Sequence, residues 1–181
     1  MARIKPLVVE EAPFDIKEAF QKHVSDYPGS RITNMKATLG HAPLAFEVYM
    51  QWYPLYEKIK QFLGNRQAYL YSFSISQGSN CPLCSTFFRK IIIENGESPD
   101  RLQLSEEEEL LLEFGSQIAQ HQGRVPDDLY EAIRQRYSTP QVILLVAFAG
   151  QMVATNVFNN ALEVEIDEYL SPYLPLTQTS H

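Results

Sequence analysis

The stretch Tyr69-Leu-Tyr-Ser-Phe-Ser-Ile-Ser-Gln-Gly-Ser-Asn-Cys81-Pro-Leu-Cys84-Ser-Thr-Phe-Phe88 decides the fold. From Tyr69 to Ser76 apolar and hydroxyl side chains alternate, a period of two that taken alone describes a strand. No second strand is evident to pair with it, and an isolated strand would leave its amides and carbonyls unsatisfied. The segment is therefore expected to be helical. Pro82 suits the first position of a helix, which places Cys81 at the N-cap and Cys84 in the first turn. That helix should run through Ile93 to Asn95 and close at Gly96.

Downstream the helix signals are strong. Ser105-Glu-Glu-Glu108 is a capping box, and its acids suit the positive end of the helix dipole. Leu110, Phe114 and Ile118 follow at four-residue spacing, and Gly123 is a natural stop. Pro126 fits a first helical position ahead of Leu129, Ile133 and Tyr137, and Thr139-Pro140 opens a helix expected to reach about Leu162. Upstream, Asp15 to Val24 and Leu44 to Phe62 read as amphipathic helices, with Pro54 expected to kink or divide the second. The tail from Ser171 to His181, with Pro172 and Pro175, is expected along the surface or disordered. No internal repeat or low-complexity segment is evident.

Composition bounds the partners. The chain has 181 residues, 45% of them hydrophobic, which suits one core rather than two. A net charge of -7 with scattered basic residues argues against nucleic acid, whose binding draws on clustered Lys and Arg. Glu10 and Glu11 interrupt the N-terminus before a signal-like apolar run can form, so a cytoplasmic protein is expected. Val142 to Phe158 is apolar at first but carries Gln151, Thr155, Asn156, Asn159 and Asn160 in or just beyond its second half. A bilayer span needs about twenty predominantly apolar residues. A helix buried in the core or a subunit interface accounts for the segment better, and no membrane association is expected.

The chemistry available centres on Cys81 and Cys84, the only two cysteines. Both stand at the positive end of a helix dipole, where a thiol pKa falls below its usual value of about 8.5. The spacing puts both on one face, within reach of a disulfide. The alternative is that both are small buried hydrophobes; a CxxC holding a proline at a helix start favours redox chemistry. Zinc would need two more ligands from His23, His41, His121 or carboxylates, and none stands at ligand spacing to another. No metal or cofactor is therefore expected. His41 reads as a loop or cap residue and His121 as a favourable charge in a last helical turn. Arg89 and Lys90 stand more than one turn beyond Cys84, although Arg89 could bias the field there. The aromatic residues Tyr69, Tyr71, Phe73, Phe87 and Phe88 read as core or as the wall of an apolar pocket.

The stretch from Tyr69 to Phe88 resembles the active-site segment of the carboxymuconolactone decarboxylase and alkylhydroperoxidase D superfamily. Asn34-Met-Lys-Ala-Thr-Leu-Gly-His41-Ala-Pro43-Leu-Ala-Phe resembles the family's first helix-loop element, and Thr139 to Val164 its final long helix. The resemblance implies an all-α, alkylhydroperoxidase D-like helical bundle. It implies residues 34–164 as the core, 1–33 as an extension with one helix and 165–181 as a tail, together one globular domain. It also implies a homo-oligomer, with the apolar first half of the last helix partly between subunits.

For activity, the resemblance implies a thiol oxidoreductase of peroxiredoxin type, with antioxidant reduction of hydroperoxides or disulfide exchange. It assigns attack to Cys84 and resolution to Cys81, an order the residues alone leave open. A thiol electron donor, protein or small molecule, and a hydroperoxide or other small substrate are the implied partners. The alkylhydroperoxidase D motif is a glutamate, eleven residues, CxxC, three residues and a histidine, the acid and base relaying protons. Here Tyr69 stands at the glutamate position, Phe88 at the histidine position, and Leu83 where a histidine often precedes the second cysteine. Cys84 is expected to keep a lowered pKa but to lack a proton partner. No His and Arg cluster is evident to hold a carboxylated substrate, which disfavours the decarboxylase branch. The alternative to catalysis is an oligomeric scaffold or small-molecule binder.

Overall fold

The computed structural model describes residues 1–175, and among these it is helical without a strand. Eight α-helices follow one another: α1 Phe14–Asp26, α2 Asn34–Leu39, α3 Pro43–Met50, α4 Trp52–Gly78, α5 Pro82–Glu94, α6 Glu106–Gln120, α7 Asp127–Arg136 and α8 Thr139–Leu162. Short 3-10 helices lie at Val9–Glu11 and Glu168–Tyr173. The capping box closes as read: the Ser105 hydroxyl accepts from the Glu108 amide, and the Glu108 carboxylate accepts from the Ser105 amide. Pro126 precedes α7 as its cap rather than opening it.

The alternating segment Tyr69 to Ser76 lies in the second half of α4, and every residue of it is buried. Its hydroxyls are what make this tolerable. Ser72 donates to the Ala68 carbonyl, Ser76 to the Ser72 carbonyl and Ser74 to the Tyr71 carbonyl, at 2.8 to 2.9 Å. A serine that satisfies itself on the preceding turn acts as a small buried side chain, so a helix packed on all sides shows no amphipathic period. α4 is packed by α5, α6 and α8. Tyr71 is fully buried, and its hydroxyl donates to the Leu145 carbonyl of α8 at 3.2 Å.

Two features of α4 depart from the sequence reading. The chain breaks at Gln51, between α3 and α4, so Pro54 falls in the first turn of α4 and neither kinks nor divides the helix. There its missing N–H costs no intrahelical bond. The bend occurs instead at Gly64, whose φ of 77° and ψ of 171° lie outside the helical region and suit glycine. The expected end of the helix at Phe62 sits beside that bend.

A second apolar cluster joins α1 to α2 and α3 through Ile16, Phe20, Leu39 and Phe46. α8 is long and apolar enough to cross a membrane, but Val142, Leu145, Phe148 and Met152 pack into the main core. Its other face leaves Ile143, Val146 and Val157 exposed. Leu170 is fully buried, Tyr173 hydrogen-bonds Arg89 and Glu94 of α5, and residues 176–181 of the expected tail lie outside the described residues.

Gly115 of α6 sits close against α4 in the core. A Cβ there would lie 2.7 Å from Tyr71 Cε2 and 2.8 Å from Ser74 Oγ. Gly115→Ala should therefore lower the urea midpoint despite its better helix propensity, with overpacking costing about 1–3 kcal/mol against a propensity gain of about 1 kcal/mol. Equilibrium urea unfolding checks this, and an unchanged or raised midpoint would show that the two helices can separate at little cost.

Candidate thiol site and cavity

The two cysteines meet at the junction of α4 and α5. Asn80, with φ of 49°, turns the chain after α4, and the Cys81 amide donates to the Ser76 carbonyl at 3.1 Å. Cys81 is the N-cap of α5, and its sulfur accepts from the Cys84 amide at 3.5 Å. Pro82 follows at the first position, as its fixed φ favours. The Cys84 sulfur accepts from Asn159 Nδ2 of α8 at 3.2 Å. Both thiols are free, and both are buried, Cys81 at 1% exposure and Cys84 at 6%.

The helix start favours thiolate, but on the other cysteine from the one expected. The Cys81 thiol is pulled down, first by the Cys84 side chain hydrogen-bonded to it and then, against the opposing effect of burial, by the first-turn amides of Cys84 and Leu83. Cys84 is held well above the ordinary thiol value, because it gives its proton to the Cys81 sulfur and because it is buried. The pair thus loses one proton readily and keeps the second, which is shared between two sulfurs.

Cys84 borders a cavity of about 640 Å³, together with Leu83 and Phe88. Its walls include Tyr49, Trp52, Tyr56, Phe87 and Met152. Trp52 and Tyr56 stack with centroids 4.5 Å apart, and the Trp52 indole donates to Met152 Sδ at 2.7 Å. Cys81 does not border the cavity and lies behind Cys84. Tyr69 does not border it either. Its hydroxyl donates to Glu97 Oε1 at 2.8 Å, in a network where Arg66 binds both Glu97 and Glu108. Burial raises Tyr69 to about 12, which disqualifies it as a base near neutral pH. Arg89 pairs with Asp100 at 2.7 Å and binds the Tyr173 carbonyl, so it does not act on the cysteines as suggested. His41 binds the Lys5 carbonyl, and His121 caps the end of α6.

The sequence reading missed residues that only folding brings together. Asn159 stands 75 residues from Cys84. Lys36 Nζ donates to Ser30 Oγ at 2.6 Å, Tyr53 OH at 2.7 Å and the Arg31 carbonyl at 2.9 Å, and His23 Nε2 lies 2.9 Å from Ser30 Oγ. Ser30, Lys36 and Tyr53 line the same cavity as Cys84. Lys36 lies inside the quoted Asn34 to Phe46 run, but only as an unremarked lysine on a short helix. The signal that could have found it is a lysine between apolar neighbours, Met35 and Ala37.

No protein-family model matches the chain, and no curated protein does. Solved structures do match. The debrominase Bmp8 in a cysteine-to-alanine form with 2,3,4-tribromopyrrole superposes with a TM-score of 0.75 at 16% identity, over 94% of each chain. Bmp8 without ligand gives 0.66 at 14% identity, over 94% of this chain and 95% of that one. An uncharacterized peroxidase-related protein of Ralstonia eutropha JMP134, described as an alkylhydroperoxidase AhpD core, gives 0.66 at 12% identity, over 93% and 94%. The fold is therefore alkylhydroperoxidase D-like, as the resemblance implied.

Titrating the reduced protein by ultraviolet thiolate absorbance should show one thiol per chain ionising below the ordinary cysteine range and the second above it. Cys84→Ser should leave a single transition. Two thiols titrating together at the ordinary value would remove the shared-proton arrangement.

Proposed function

We propose that the chain is a thiol-dependent oxidoreductase that passes two electrons from the Cys81 and Cys84 pair to a small molecule in the cavity, a hydroperoxide being the leading substrate class. The observation that carries this reading is the division of labour at the start of α5: Cys84 borders the cavity, and Cys81, the more readily ionised thiol, caps the helix. Proton passage from Cys84 to Cys81 makes the cavity-facing sulfur the nucleophile. That thiolate attacks the peroxide O–O bond, forming the Cys84 sulfenic acid and releasing an alkoxide. The Cys81 thiol protonates the alkoxide to the alcohol. The Cys81 thiolate then attacks the sulfenic sulfur, a disulfide forms, and hydroxide leaves and takes a proton from solvent. A dithiol, protein or small molecule, reduces the disulfide by exchange.

In this cycle Cys81 supplies the proton transfers that Tyr69 and Phe88 cannot. A base already spent on one proton serves less well than two separate groups, so turnover should be slow. Cys84→Ser should abolish peroxide consumption with a dithiol donor. Phe88→His would place an imidazole one turn beyond Cys84 in the cavity wall and should raise the rate by roughly 10²-fold, the lower end of the 10²–10⁴ that general acid–base catalysis gives. The companion change at Tyr69 is less promising, since Tyr69→Glu would add a third carboxylate beside Glu97 and Glu108 with Arg66 as their shared cation. A native rate already matching proteins with both relay residues would show that another group moves the proton.

The fold shared with a debrominase adds an aromatic halide as a second substrate class with the same electron balance: a carbon–hydrogen bond replaces carbon–halogen, halide and a proton leave, and the cysteines end as a disulfide. The missing relay favours a second reading, binding without turnover. Thiol titration before and after peroxide separates the two, with loss of two thiols per chain expected for the oxidoreductase and little change for a binder.

The same reading includes a homo-oligomer formed through the exposed face of α8, where Ile143, Val146 and Val157 recur on one side with Gly150 between them. Val146→Glu should shift the sizing profile to smaller species; a monodisperse native monomer at micromolar concentration would remove this assembly.

A further inference from the structure

Lys36 is 4% exposed, yet all three of its hydrogen-bond partners, Ser30, Tyr53 and the Arg31 carbonyl, are neutral oxygens. The other buried cation among the described residues, Arg89, has a carboxylate in contact, Asp100, and the half-buried Arg66 has two, Glu97 and Glu108. Lysine is almost never fully buried unless paired, because an isolated buried charge is costly. Among the described residues Lys36 therefore has no carboxylate in hydrogen-bond contact, Asp167 acting on it only through space. Burial draws it down to about 7, even with Asp167 acting in the opposite direction. Tyr53 accepts from Lys36 and so keeps its own O–H proton to give, either to Ser30 at 3.2 Å or into the cavity it lines.

The walls between this end and Cys84 are aromatic. Trp52 and Tyr56 are nearly parallel, 17° apart, and Phe87 and Phe88 lie beside Cys84. A simple peroxide needs neither that volume nor a buried lysine.

The geometry points to Lys36 as an anion-binding residue, and to a planar aromatic acid as the molecule presented to Cys84, its carboxylate held by Lys36 and Tyr53 and its ring among Trp52, Tyr56 and Phe87. This rests on the reading of Cys84 as the reacting thiol. The bound carboxylate supplies the missing contact, and it keeps Lys36 protonated where the empty site would release the proton. The other charges facing Lys36 are His23 from α1, Arg31 before α2 and Asp167 after α8. His23 is pushed down to about 4 by burial and by Lys36, so it is neutral across the useful range. Arg31 stacks on Tyr169 with its guanidinium 4.2 Å from the ring centre. Asp167, which burial raises, and the thiol pair at the far end of the cavity are the groups that could mimic Lys36 by taking up a proton, and loss of the uptake in Lys36→Met separates Lys36 from both.

The test uses the full reduced chain with 2-naphthoate and its neutral isostere 2-naphthamide, followed by calorimetry in buffers of different ionisation enthalpy and by the fluorescence of Trp52, the single tryptophan. Naphthoate should bind at least about tenfold more tightly than naphthamide near neutral pH, as charge-assisted bonding allows. It should take up close to one proton per ligand at about pH 8.5 and almost none at about pH 6, the sign required when a ligand raises the pKa of a neutral lysine. It should also slow alkylation of Cys84 by iodoacetamide. Lys36→Met should reduce naphthoate to the affinity of naphthamide and abolish the uptake, whereas Asp167→Asn should leave the uptake in place. Equal binding of the two ligands, no proton uptake at the higher pH, or unchanged Cys84 alkylation would each overturn the proposal. The native comparison stands even if Lys36→Met fails to fold. Naphthoate binding as described, in a protein that consumes no peroxide, would retire the peroxide-reduction reading and keep the anion site.

Discussion

Burial of the second half of α4, Ala68 to Ser76, on every side is the constraint on which the rest of the structure depends. A helix surrounded by α5, α6 and α8 cannot carry a polar face, so its polar atoms must be satisfied within the helix or by a neighbour's backbone. Ser72, Ser74 and Ser76 do the first, and Tyr71 does the second through the Leu145 carbonyl. Gly115 lets α6 approach at the same level. With α4 fixed, the turn at Asn80 delivers Cys81 and Cys84 to one place, between the cavity and Asn159 of α8.

Legibility in the sequence followed locality. Caps and prolines at helix starts depend on a few adjacent residues, so Ser105 with Glu108 and Cys81 with Pro82 could be read directly. The breaks could not all be read this way. Pro54 looked like an interruption, but a proline within the first turn removes no hydrogen bond that exists, and the chain had already broken at Gln51. Gly64 lay just beyond the expected helix end at Phe62 and drew no reading, although its positive φ marks the bend between the two halves of α4. The alternation of Tyr69 to Ser76 misleads for a related reason: small self-bonded hydroxyls and large apolar groups are both core residues, so polarity no longer marks a face.

The site divides along the same line. The cysteine pair is a local motif and was visible; its surroundings come from α1, the loop after it, α2, α4 and α8, and no spacing rule relates Lys36, Tyr53 and Asn159. The positive end of α5 was read correctly as favouring thiolate. Its choice of sulfur was not, because Cys84 gives its proton to the Cys81 sulfur, which as N-cap also accepts the Cys84 amide. Tyr69 shows the opposite case, a residue at a motif position whose hydroxyl is committed to Glu97 and the ion pairs behind it.

The sulfur cap also bears on the balance between reduced and oxidised forms. An anionic Cys81 sulfur is a better acceptor for the Cys84 amide than a disulfide sulfur, so the first turn of α5 is held more firmly while the pair is reduced. Asn159 likewise finds a stronger acceptor in a thiol or thiolate at Cys84 than in a bonded disulfide. Stabilising the dithiol form raises the reduction potential of a cysteine pair and makes its disulfide the more eager electron acceptor. The contacts that build this helix start therefore favour the dithiol form of the pair over its disulfide.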